Sequence, residues 1–390
     1  MMKKYLCTFA LSALVLAACG KKEEPPVAVL APKPVASAPA AAAANTEEKV
    51  LNIYNWPDYV PEGMIAAFEK ESGIKVNYDT FETNEALHAK LVAGNSGYDI
   101  VVPGAVFAKP QIEGGLLQPL NKSKIPNLAN LDTSIMAALV KADPENKHLV
   151  PWAWGFTTVG INRTKVEKAL GGMPMPANAW DLVFNPKYTA KLKSCGIAYL
   201  DSPTEILPAA LHYLGKEAYS NDPADYKAAT AMLAKVRKDI RLFSATMIDD
   251  IAGGKACAAI GWSGDINIAA GRAKDNGSKD VIESLLPSTG ALIFFDTMAI
   301  TKDAKHPANA HAFMDFYLRA ENAARLANEM NYVTGNKAAI EKKLIKPEIA
   351  ANKSIFVDPD FFAKLVPPSS FSNEAREALA NAFNSFKKGK

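Results

Sequence analysis

Histidine and cysteine are scarce in this chain of 390 residues, which holds five of the first and four of the second. His88, His148, His212, His306 and His311 show no H-E-x-x-H spacing, and Cys195 with Cys257 does not make a zinc pattern, so metal-centred hydrolysis finds no scaffold. A phosphate loop is missing as well, because Gly253-Gly254-Lys255-Ala256 lacks both the Ser or Thr and the preceding glycine that such a loop needs. Gly261-Trp262-Ser263-Gly264-Asp265 approaches the G-x-S-x-G nucleophile elbow, yet Asp265 stands where the second glycine belongs. No catalytic constellation survives these tests, and the chain is expected not to be an enzyme. Charge of one sign is also lacking: 44 Lys and Arg against 41 Asp and Glu leave a formal +3 with no concentrated basic stripe, which excludes nucleic acid as a supported partner.

What is present begins with Lys3 and Lys4 and an apolar stretch, 5–18, too short to span a bilayer. It reads as an export signal over residues 1–18. The stretch ends in Leu16-Ala17-Ala18-Cys19-Gly20, which resembles the lipobox of bacterial lipoproteins and implies that Cys19 carries lipid; the plainer alternative is an ordinary cleavage site with a chance cysteine. Residues 19–48 are rich in Pro and Ala without amphipathic period and read as a tether, able to reach about 90 Å at polyproline spacing. Once Cys7 and Cys19 are assigned to the leader and its end, Cys195 and Cys257 remain in an exported, oxidising compartment, where a disulfide is expected and two buried free thiols are the alternative.

The remaining length suffices for two sizeable cores and exceeds a typical single one. From about Lys49 strands and helices alternate. Val50, Leu51 and Ile53 make a period-two strand, Pro61 to Gly73 brackets a helix with Met64, Ile65 and Phe68 on one face, and Ile74, Val76 and Tyr78 alternate again. A helix capped by Thr83 or Asn84 leads to the apolar run Ile100-Val101-Val102-Pro103. Repeated β-α-β units imply a mostly parallel sheet covered on both faces. The extended segment 150–160 is a candidate crossing between lobes, and the second half, with a strand at Ile197-Ala198-Tyr199-Leu200 and a helix from Pro223, is again α/β.

Three stretches share one chemistry. Asn55-Trp56-Pro57-Asp58-Tyr59 follows the first strand; 258–265 and 291–296 are apolar runs that end in an aromatic and an acid, Trp262 with Asp265 and Phe294 with Asp296. In open α/β sheets the carboxyl ends of strands are where ligands bind, and rings beside carboxylates attract organic ammonium groups. Alone, Trp56 or Trp262 would be read as core packing and Glu205 as a helix-start acid favoured by the dipole.

Taken together and in order, Leu51-Asn52-Ile53-Tyr54-Asn55-Trp56 with Asp58-Tyr59, Tyr98-Asp99-Ile100-Val101-Val102-Pro103, Ala259-Ile260-Gly261-Trp262 with Gly264-Asp265, Phe294-Phe295-Asp296 and Asn336-Lys337-Ala338-Ala339 resemble the putrescine- and spermidine-binding proteins that feed bacterial ABC importers. The resemblance implies a two-lobed type II periplasmic solute-binding fold of α/β class with crossover hinge strands. The expected division is 49–153 with 296–341 for the N-terminal lobe, and 154–295 with 342–390 for the C-terminal lobe. Matched motif by motif, it implies a ligand site of Trp56, Asp58, Tyr59, Glu205, Trp262, Asp265, Phe294, Asp296 and Tyr332. Four carboxylates facing one cleft would repel one another unless a multiply charged cation lay between them. Putrescine or spermidine is such a cation, its methylenes contributing about 0.8 kcal/mol each when buried among rings.

None of the arginines, Arg272 included, falls in a candidate motif, so the forks an anionic ligand would want are not expected. Gly104 and Val106 stand where relatives commonly carry hydroxyl side chains, while Phe294 and Ser202 resemble the putrescine-binding branch. The implied partners are a polyamine, an inner-membrane ABC permease and, through the lipid, a membrane; a periplasmic monomer without cofactor is expected. The alternative weighed is a receptor for iron(III) or another metal held by tyrosinate and carboxylate, in which the interleaved Trp and Phe would have no use.

Overall fold

The computed structural model describes residues 47–389. The expected signal segment, Cys19 and most of the expected tether lie outside the described residues. The last two tether positions lie inside them: Glu47 accepts hydrogen bonds from the N–H groups of Ala308 and Asn309, and the Glu48 carbonyl accepts from Asn309 Nδ2 at 2.7 Å.

Ten strands form one sheet: β1 (Val50–Asn55), β2 (Lys75–Thr80), β3 (Ile100–Val101), β4 (Leu117–Gln118), β5 (Val150–Asn162), β6 (Ile197–Leu200), β7 (Leu242–Ser244), β8 (Ala258–Trp262), β9 (Ile282–Ser284) and β10 (Leu292–Thr301). The order is β2-β1-β3-β10-β5-β8-β6-β7, with β4 beside β10 and β9 beside β5. At one end β2, β1 and β3 are parallel, and at the other β8, β6 and β7 are parallel. The expected mostly parallel sheet is corrected in the middle, where β10 runs antiparallel to both β3 and β5, and β5 antiparallel to β8. These two long strands enter and leave each parallel group, so their direction is set by connectivity between groups and not by a βαβ crossover.

Local sequence accounts for the elements that feed the site. The helix Met64–Ser72 buries Met64 and Phe68 and stops at Gly73, whose φ of 69° allows the left-handed turn that ends it. Thr83 caps the helix Asn84–Ala93 by accepting from Ala86 N, leaving Asn84 at the helix entrance. All thirteen residues of β5 are buried, as a strand covered on both faces requires.

One apolar cluster gathers Leu51, Ile53, Met64, Phe68, Phe313 and Tyr317 around β1; a larger one gathers Tyr199, Leu211, Ile260 and Phe383 around β6 and β8. Cys195 and Cys257, just ahead of β6 and β8, are joined in a disulfide with Cα atoms 5.5 Å apart. Closing a loop of 62 residues stabilises the fold by at most about 4 kcal/mol on the chain-entropy account.

Candidate functional site

The carboxyl end of β1 opens onto a cavity of about 280 Å³. Pro57 ends strand pairing after Trp56, and Asp58 takes a φ of 50°, which turns the chain so that Trp56 and Tyr59 both reach the cavity. Trp56 is fixed at its rim: Nε1–H donates to the Val102 carbonyl at 2.9 Å, and the ring leans on Phe81. Its free edge meets Trp262, which closes β8, at a centroid distance of 6.4 Å.

β8 runs directly into the helix Ser263–Asp275, so Asp265 sits in that helix's first turn three residues after Trp262. Glu205 occupies the first turn of the helix Pro203–Tyr213. Both acids therefore project from helix amino termini, where the backbone dipole favours negative charge. Phe294 and Asp296 come from β10, Asp296 at the register shift before Thr297 and bridged to Gly104. Asn331, left-handed at φ 57°, ends the helix Ala320–Met330 and delivers Tyr332. All nine residues expected from the sequence line this one cavity.

Three acids each accept from a neutral donor. Tyr59 donates to Asp296 Oδ2 at 2.7 Å, Tyr332 donates to Asp265 Oδ1, and Thr157 Oγ1 donates to Glu205 Oε2 at 2.5 Å. The two phenols meet edge to face, with centroids 4.8 Å apart. Burial pushes Asp296 up to about 7, with Glu205 and Asp265 adding repulsion against the partial relief from Tyr59. Burial likewise pushes Glu205 to about 7 despite hydrogen bonds from Thr157 and Trp262, and Asp265 to about 6 despite Tyr332. Desolvation is the main cause in all three.

Asp58 differs from these three. It is 64% exposed at the rim and lies 3.7 Å from Arg272, which also pairs with Asp249 at 2.5 Å. The expectation that arginine stays out of the site is corrected here, since Arg272 lines the cavity. Its guanidinium pairs with two rim carboxylates, and its charge also gives Asp265 some relief. The seven-residue step from Asp265 puts Arg272 on the same helix face, a spacing from which it could have been found. Thr157, Asn84 and Asp249 line the cavity too, unforeseen as site residues: Thr157 lies in the extended segment and Asn84 at a helix entrance, while no motif marks Asp249.

Gly104 and Val106 both line the cavity. Gly104 N–H donates to Asn84 Oδ1 at 2.9 Å, and the Asn84 amide nitrogen lies 3.1 Å from where a Cβ on Gly104 would stand. A side-chain amide thus occupies the space beside the bare glycine.

Comparison with known proteins agrees with this architecture. The putrescine-binding periplasmic protein SpuD of Pseudomonas aeruginosa (strain UCBPP-PA14) is 41% identical over 345 residues, covering 88% of this chain and 93% of its own. The putrescine-binding periplasmic protein PotF of Escherichia coli (strain K12) is 41% identical over 346 residues, with the same coverage of 88% and 93%. A solved structure described as a putative spermidine/putrescine ABC transporter from Listeria monocytogenes superposes with a TM-score of 0.75 at 30% identity, covering 88% of this chain and all of that one. With residues 63–356 matching the family as well, the chain belongs to the bacterial extracellular solute-binding proteins.

Proposed function

We propose that the protein is a polyamine receptor of the periplasm, tethered by lipid on Cys19, that captures putrescine or spermidine between two lobes and hands it to an ABC permease. The observation that carries the reading is the set of three cleft acids, Asp296 buried and Glu205 and Asp265 half-buried, raised together by desolvation and walled by Trp56, Trp262 and Phe294. A slender dication supplies the missing positive charge at both ends and an apolar stem between. Tyr59 and Tyr332 spend their hydroxyl protons on Asp296 and Asp265, so that these acids keep their remaining lone pairs for ammonium groups.

The lobes are 49–153 with 296–341 and 154–295 with 342–390, turning about β5 and β10. The two apolar clusters on either side of those strands support this division. The names of the 41% identical relatives support putrescine as ligand and the periplasm as compartment. Iron(III) held by tyrosinate draws no support from the site: burial and the neighbouring acids push both phenols well above their ordinary value, away from ionisation.

The test is a titration of the purified ligand-free protein with putrescine, cadaverine, spermidine and spermine, followed by tryptophan fluorescence and calorimetry. Saturable binding of at least one amine, with iron(III) giving none, is expected. Binding of iron(III) in preference to every amine would reject the reading.

A further inference from the structure

Two glycines in the cleft wall run against the preferences of the elements that hold them. Gly155 is central in β5, and Gly264 is in the first turn of the helix Ser263–Asp275. Neither has the positive φ that glycine tolerates best, and glycine weakens strands and helices through the entropy it loses on ordering. Backbone shape therefore does not call for glycine at either place; close approach does. A Cβ on Gly264 would stand 2.5 Å from Cε1 and Cε2 of Tyr332 and nearer still to Cζ. A Cβ on Gly155 would stand 2.8 Å from Cζ of Phe294 and 3.1 Å from Ser263 Oγ. Both rings close on naked peptide, Tyr332 through Cζ, Cε1 and Cε2 and Phe294 through Cζ.

We propose that Gly264 and Gly155 are positioning residues of the ligand site, bare surfaces that let Tyr332 and Phe294 sit back against the wall and leave the cleft open for an alkyl diamine. The inference rests on the polyamine reading of the cleft. Because Tyr332 and Phe294 both line the cavity, a methyl beneath either ring drives it into the space the ligand needs. For Tyr332 the displacement has two further effects. Its hydroxyl leaves Asp265, and its ring leaves the edge of Tyr59, whose own hydroxyl serves Asp296. One methyl at position 264 thereby disturbs the donors of two acids, Asp265 and Asp296. Phe294 stands two residues before Asp296 on β10, so a methyl at 155 acts on the stem-binding wall beside that acid.

The experiment uses the purified full chain as wild type, Gly264→Ala, Gly155→Ala, Tyr332→Ala and the Gly264→Ala/Tyr332→Ala double variant. Each is read by thermal midpoint, by putrescine calorimetry and, without ligand, by the NMR titration of the Asp265 carboxyl. Gly264→Ala is expected to keep its fold, since alanine suits a helix better than glycine, while affinity falls about tenfold or more and Asp265 titrates higher for loss of its phenol donor. Adding Gly264→Ala to Tyr332→Ala should cost less than about twofold, because the ring it would displace is already gone. Gly155→Ala should lower affinity without moving Asp265. The inference is overturned if Gly264→Ala binds as wild type with Asp265 unmoved, if its penalty persists in the Tyr332→Ala background, or if Gly155→Ala binds as wild type. Should wild type bind no amine, the polyamine reading falls, while the Asp265 titration of Gly264→Ala still decides whether that glycine positions Tyr332.

Discussion

Asp265 and Asp296 each accept from a tyrosine on one oxygen while lining the cavity, and this combination decides what their removal should do. Asp265→Asn or Asp296→Asn keeps the shape but takes away the charge that a desolvated ammonium needs, at a cost of about 2 to 5 kcal/mol. Putrescine affinity measured by calorimetry should fall by about one to three orders of magnitude, and unchanged affinity in both variants would remove the amine reading. Acidity adds a second expectation. Asp265, Asp296 and Glu205 titrate at about 6, 7 and 7, above the ordinary carboxylate range, so between that range and about 7 the folded protein binds more protons than the unfolded chain. Their contribution to stability is thus lost as pH rises through that window and is flat above it. The thermal midpoint of ligand-free Asp296→Asn should accordingly exceed that of wild type near pH 8 and converge with it near pH 4, as scans across buffers would show. Arginine placement is where residue-level reading of the sequence fails. Arg272 lies outside every apolar run that marks a strand, and its approach to Asp58 joins positions 214 residues apart in number, which no local pattern reports.

Elements were more legible than their neighbours in space. Gly73, Thr83 and Pro307 end, cap and open helices where their chemistry requires, and the alternation in 50–55 and 75–80 marks β1 and β2. The extended reading of 150–160 matches β5 closely. In contrast, the sequence marks 291–296 as an apolar run that ends at its acid, whereas β10 continues through Asp296 to Thr301. A carboxylate is tolerated in mid-strand there because Tyr59 supplies a hydrogen bond and the cavity supplies an opening. Parallel pairing was likewise inferred from βαβ repeats, which describe the two ends of the sheet and are silent about the strands between. The disulfide belongs to this scale, since Cys195 and Cys257 fasten the starts of β6 and β8 on the side away from the carboxyl ends of those strands. Cys195→Ala/Cys257→Ala should lower stability by up to about 4 kcal/mol in denaturant unfolding, while putrescine affinity stays within a few-fold of wild type. A large loss of affinity would mean that the link also shapes the cleft.

For the molecule as a whole, rim contacts join the facing walls of the cleft, above the Tyr332 to Asp265 hydrogen bond that also joins them. The Trp56 ring meets Trp262, Asp58 pairs with Arg272, and Thr204 Oγ1 donates to Glu85 Oε1 at 3.4 Å. Of these rim contacts the last two depend on polar side chains, and both are exposed, so that water competes and each contributes little. Such a clasp suits a receptor that must reopen. Beneath it, β10 gives its first half to β5 and its second half to β3 and β4. A strand that serves two cores cannot be surrendered by one of them without stripping backbone hydrogen bonds from the other. Heat should consequently undo 47–389 in a single step, with calorimetric and van't Hoff enthalpies equal, and two resolved peaks would contradict it. The same braid denies either core an independent life.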